Sequence, residues 1–229
     1  MRSVGSPARR VALGVVVLAS VAAVLAAFAP PPTDPVSPDP PAAAAAAAAN
    51  KYIGAAKCAN CHKAEAVGNQ MGKWAESKHA KAFEALASDA AKEAAKAKGI
   101  EDPQKAEACL KCHVTAFGKP AEELGSGFKP EQGVQCESCH GPGDLHMKER
   151  VKAAAKAKDG APAPVAEGEI VGHPKMDTCT GCHNAESPTF KEFCFKEFSA
   201  KIEHLNPGKQ RTAEELAALR ACTCDKCKG

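Results

Sequence analysis

Eight of the twelve cysteines in this sequence fall into one spacing, repeated four times. The pattern is Cys-x-x-Cys-His. It stands complete at Cys58/Cys61/His62, Cys109/Cys112/His113, Cys136/Cys139/His140 and Cys179/Cys182/His183. Two thiols three positions apart lie on one side of a helical turn. They can add to the two vinyl groups of one porphyrin, and the next His then reaches the iron from the same face. This is the attachment pattern of c-type haem. Cys-x-x-Cys alone also serves zinc sites and redox disulfides. Neither of those needs a His after each of four pairs, so the pattern predicts four covalently bound haem c groups.

Each iron has a further axial position. The histidines outside the motifs are His79, His146, His173 and His204. A second His closes an iron to exogenous ligands and makes it an electron carrier, whereas an open position admits small molecules. Met71, Met147 and Met176 are also available, but Met is ordinarily a packing residue. The motifs begin 51, 27 and 43 residues apart, too unevenly for a solenoid.

These motifs must be held by little else. Hydrophobic residues make up 45% of the chain, but much of that is Ala, and aromatics are only 4%. A core of protein alone would be thin, and haem is a large apolar group suited to filling it. Residues 80–98 are rich in Ala, Lys and Glu with Gly99 as a stop, which predicts a long helix. A short helix should carry Cys109–His113. Residues 51–62 and 117–134 read as loops, the second with Gly118, Pro120, Gly125, Gly127, Pro130 and Gly133. Residues 147–158 read as helix, 159–174 as loop, and 186–202 as partly helical with Phe190, Phe193, Phe195 and Phe198. Thr212-Ala213-Glu214-Glu215 is a capping box opening a last helix to residue 221. No stretch alternates as a strand does. The expected fold is mainly α with long loops and few or no strands, a multihaem cytochrome c architecture built around stacked haems.

Before that head lies export machinery. Arg2, Arg9 and Arg10 precede residues 11–29, which carry no charge. That run is long for a signal peptide and close to spanning length. Residues 1–29 are therefore a signal peptide or an N-terminal membrane anchor, and both place the head on the periplasmic side. Residues 30–49, Pro-rich and then a run of eight Ala, form a linker. Residues 50–229 are the expected tetrahaem domain. Two propionates per haem turn the formal charge of +3 negative, so no nucleic-acid partner is expected. The Lys-rich stretches 92–98 and 148–158 read as solvated helix faces.

A family resemblance rests on particular residues. Cys58-Ala-Asn-Cys-His62-Lys63, followed by Trp74-Ala-Glu-Ser-Lys-His79, resembles the opening of the tetrahaem cytochrome c-554 family. So do Cys109-Leu-Lys-Cys-His113-Val114 with Phe117-Gly118, and Gly133-Val-Gln-Cys136-Glu-Ser-Cys139-His140-Gly-Pro-Gly143. The resemblance covers residues 51 to about 190. It implies His146 as partner of His62, His79 as partner of His140, and His173 as partner of His183. It leaves His113 the sole protein ligand of a five-coordinate haem, and gives no role to His204, which then reads as a surface residue. Family members related to ammonia oxidation take electrons from hydroxylamine oxidoreductase.

Cys194, Cys222, Cys224 and Cys227 belong to no such motif. Disulfides are the expectation in an oxidising compartment. A four-Cys metal site and a Cys-x-x-Cys-Lys haem site at Cys224-Asp-Lys-Cys227-Lys228 are the alternatives. The resulting functional expectation is an electron carrier between redox protein partners rather than an enzyme. Two alternatives stay open: reduction of nitric oxide or a similar small ligand at the His113 haem, and quinol oxidation by a head anchored in the membrane through residues 11–29.

Overall fold

The structure, a computed structural model, describes residues 50–157 and 163–222. The chain divides into units at residues 1–45 and 46–229, and every described residue falls in the second. The leader or anchor, the linker, Cys224, Cys227 and Lys228 lie outside the described residues. Among the described residues no helix is long and apolar enough to cross a membrane.

Short helices joined by loops carry the motifs. Helices α1 (Ala55–His62), α5 (Glu107–His113), α6 (Cys136–His140) and α8 (Met176–Thr180) begin or end at motif residues. Between them run α2 (Gln70–Glu76), α3 (Ala82–Ala85), α4 (Asp89–Lys96) and α7 (Asp144–Lys156). Helices α9 (Phe195–Ile202) and α10 (Ala213–Leu219) follow the last motif. The one sheet-like feature among the described residues is an isolated parallel bridge between Tyr52 and Leu124, so the mainly α expectation holds.

Two expectations fail for local reasons. The single helix predicted over 80–98 is two, α3 and α4. Ser88 breaks the run because its side chain accepts the N–H of Ala91 at 3.3 Å and caps α4, an arrangement that favours starting a helix over continuing one. The loop predicted over 51–62 is largely helix α1. Its N-terminal approach is anchored from far along the chain, Glu137 accepting from Ile53 and Gly54 and Gln135 from Ala55, which no local pattern announces. The Thr212 capping box forms as expected.

The interior is built from polar residues to an unusual degree. The largest fully buried side chains are Gln135 and Thr115. The apolar core comprises Ile53, Ala55, Ala82, Leu86, Ala95, Val114, Cys194 and Phe195. Such burial costs free energy unless every polar atom finds a partner, and residues 133–137 supply those partners as a strap. Gly133 O accepts both the Thr115 N–H (3.0 Å) and its hydroxyl (3.1 Å). Val134 N donates to His79 O at 3.0 Å, and Val134 O accepts from Trp74 Nε1 at 2.8 Å. Gln135 Oε1 accepts from Ala55 N and its Nε2 donates to Lys129 O. Gln135 N donates to Thr115 Oγ1 at 2.6 Å.

Glu137, only 3% exposed, completes the strap. Its carboxylate accepts the N–H groups of Ile53 (2.8 Å), Gly54 (2.8 Å) and Gly143 (2.7 Å). Gly54 sits at φ 84°, and a Cβ there would come within 3.0 Å of Gly127 O. The close approach that lets the backbone meet the carboxylate therefore requires glycine. Thr115→Val should cost about 2 kcal/mol, since it keeps the shape but orphans the buried N–H of Gln135. A denaturant titration of the holoprotein checks this.

Candidate haem-binding site

Three pairs of imidazoles face one another. The ring centroids of His62 and His146 stand 6.1 Å apart, those of His79 and His183 6.0 Å, and those of His140 and His204 5.8 Å. Metal–imidazole bonds run about 2.0–2.1 Å and a ring nitrogen lies roughly 1.2 Å from its centroid, so two rings across one metal should stand roughly 6.4 Å apart. The observed spacings fit an iron between each pair. Each pair includes one motif His, which is the donor set that a bis-His haem requires.

Ring orientation agrees. Nδ1 lies 2.7 Å from Ala82 O in His113, 2.6 Å from Val171 O in His140 and 2.7 Å from Ile202 O in His204. A carbonyl only accepts, so Nδ1 carries the proton and donates, leaving Nε2 unprotonated for a metal. In His146 the Nδ1 partner is the carboxylate of Glu169, at 2.8 Å. Burial pushes His62, His79, His140 and His183 below the ordinary imidazole range. Neutral imidazole is the form that binds metal.

The ring contacts differ from the implied pairings in two places. His62 faces His146, in line with the resemblance. His79, however, faces His183 rather than His140. His204, read from sequence as a surface residue, faces His140. His173 is exposed and has no ring contact among the described residues. The resemblance implied it as the partner of His183, and α8 lies between the two. His113 likewise has no facing ring among the described residues.

Six of the motif thiols are also close to one another across motifs. Cys58 shares a hydrogen bond with Cys136, and that contact, with burial, holds its thiol far above the usual range. Cys182 is pushed up to about 12, chiefly by burial and by a hydrogen bond shared with Cys112. Cys139 is pushed up to about 11 by burial, with neighbouring Cys179 and Cys136 adding to it. Cys61 and Cys109 complete their pairs within α1 and α5. Among the described residues no group of three or more His, Cys, Asp or Glu could hold a bare metal ion. A tetrahedral zinc site needs such a group.

Beyond the motifs, Cys194 is disulfide-bonded, in line with the expectation of disulfides among the cysteines outside the motifs. The Phe cluster lies against the last motif: Phe193 stacks on His183 with centroids 4.9 Å apart and on Phe198 at 5.1 Å. Glu137 and Glu169 were not singled out from sequence. A carboxylate inside a Cys-x-x-Cys-His motif was the one available signal for Glu137.

Known proteins carry similar residues. A family profile described as "Cytochrome c554 and c-prime" matches residues 57–141. Cytochrome c-554 of Nitrosomonas europaea is 36% identical over 149 residues, covering 61% of this chain and 61% of that protein. A solved structure of the reduced state of cytochrome c554 from the same organism aligns with a TM-score of 0.47 and 26% identity, over 74% of this chain and 83% of that one. The profile match takes in three of the four Cys-x-x-Cys-His motifs, and the chain spans about three fifths of the length of the curated relative it resembles.

Proposed function

We propose that residues 50–229 form an exported, periplasmic electron-transfer domain with four haems c. Thioethers form at Cys58 and Cys61, Cys109 and Cys112, Cys136 and Cys139, and Cys179 and Cys182. The axial pairs are His62 with His146, His140 with His204 and His183 with His79, while His113 binds alone. Haem c supplies reversible one-electron exchange, and the chain supplies ligation, burial and placement.

The carrying observation is the order of thiol contacts. Cys58 touches Cys136, Cys139 neighbours Cys179, and Cys182 touches Cys112. Motifs one, three, four and two therefore stand in a row, each next to the following one. Such a row serves passage of electrons from one protein partner to another better than chemistry on a bound substrate. The donors we place among hydroxylamine oxidoreductase-like enzymes, on the family resemblance.

The test is a pyridine haemochrome assay, an intact mass and an EPR spectrum of the purified protein. Four thioether-linked haems, three low-spin and one high-spin, are expected. The near-parallel rings of His62 and His146 (27°) and the crossed rings of the other two pairs (66° and 61°) should give low-spin signals of different anisotropy. Fewer than four haems, or none high-spin, would overturn the reading. The unpaired state of His113 supports a second reading, in which nitric oxide or a similar small ligand binds at that end of the row. Titration with nitric oxide should then perturb the high-spin signal alone.

A further inference from the structure

We propose that Glu169 and Arg150 set the potential of the His62–His146 haem, holding it below the value that a carbonyl-anchored pair would give. This rests on the ligand assignment above. Helix α7 presents His146 and, one turn on, Arg150. The loop after it returns Glu169 against both, with the Glu169 side chain 2% exposed. Glu169 Oε1 accepts from His146 Nδ1 at 2.8 Å. Oε2 accepts from Arg150 Nη2 at 2.7 Å and from Ala166 N at 3.1 Å. Arg150 Nη1 in turn donates to Ala163 O at 2.5 Å.

The contrast with the other anchored rings carries the argument. His113, His140 and His204 each donate Nδ1–H to a neutral backbone carbonyl. Among these anchored rings only His146 donates to a carboxylate. A buried anion draws the Nδ1 proton towards itself and leaves the ring a stronger electron donor at Nε2. A stronger donor, and a negative charge nearby, both favour the ferric state. Three donors converge on the Glu169 carboxylate, from Ala166, His146 and Arg150, and each favours its charged form against the cost of burial. Arg150 offsets part of the negative charge. The two residues therefore act in opposite directions: the carboxylate lowers the potential and the guanidinium limits the fall.

Opposite signs separate tuning from mere support. Holoprotein carrying Glu169→Gln and holoprotein carrying Arg150→Gln are titrated spectropotentiometrically beside the unaltered protein, with haem content and low-spin EPR signals recorded for each. The affected midpoint is assigned by its loss in His146→Ala. E169Q should raise that midpoint by about tenfold in the ferrous/ferric ratio, which is about 59 mV for one electron. R150Q should lower it. The proposal is overturned if both variants shift it in the same direction or leave it in place while haem content and EPR stay intact. If E169Q fails to fold, R150Q alone decides by the sign of its shift. Absence of the His62–His146 low-spin signal from the unaltered protein would instead sink the ligand assignment itself, and this proposal with it.

Discussion

Glu137→Ala is expected to lower the stability of the holoprotein by about 4 kcal/mol and its thermal midpoint by roughly 8–16 °C. The carboxylate is 3% exposed and accepts three backbone N–H groups at 2.7–2.8 Å. Each is a hydrogen bond to a charged acceptor, and each N–H is left buried and unpaired when the side chain goes. A bare buried donor costs about 1–3 kcal/mol. Water entering the space left by the side chain recovers part of this, so the sum falls short of three full penalties. Two of the donors, Ile53 and Gly54, lead into α1, and Gly143 leads into α7. The loss should therefore loosen motif one from motif three, where Cys58 meets Cys136. Glu137→Gln should fall between, because its amide turns a second donor towards N–H groups that need acceptors. Thermal unfolding followed by Soret circular dichroism reads both effects, since coupling between neighbouring haems reports on the first and third motifs directly. An E137A protein within about 1 kcal/mol of the unaltered one would show that the strap does not hold these motifs together.

What could be read from sequence divides along the range of the interactions. The attachment motifs are local: two thiols and a His on one turn carry their meaning wherever they occur, and the structure places each on or beside a short helix. The mainly α class and the Thr212 capping box are local too. The helical start of α1 was not legible, because the acceptors that anchor it, Gln135 and Glu137, lie some eighty residues on. The break before α4 was masked by composition: Ala, Lys and Glu favour helix on both sides, and Ser88 stops the run through one hydrogen bond. Distal histidines are the extreme case. A ligand across an iron is fixed by where two distant segments meet, and nothing in the spacing of His79 from His140 says whether they do. The family resemblance offered His173 as the partner of His183 and gave His204 no role, although His204 is the one that faces His140.

Ligand removal turns that last point into the second large effect. His204→Ala should open the iron bound by His140, convert it from low to high spin, and raise its potential. The number of irons that take nitric oxide should rise from about one to about two per chain, since an open axial position is what admits a small ligand. His173→Ala should change none of these readouts, because that ring is exposed and faces no other ring among the described residues. His79→Ala should open the His183 iron and leave the His140 iron closed. The three variants together decide the connectivity. Under the pairing implied by the resemblance, H79A would open the iron of His140, H173A that of His183, and H204A none. The geometry predicts another pattern because a 5.8 Å separation puts His204 across from His140, its Nδ1 donating to Ile202 O at 2.7 Å and its Nε2 left free. EPR of each oxidised variant, before and after nitric oxide, separates the two schemes. A low-spin His140 centre that survives in H204A would require its sixth ligand to come from elsewhere in the chain.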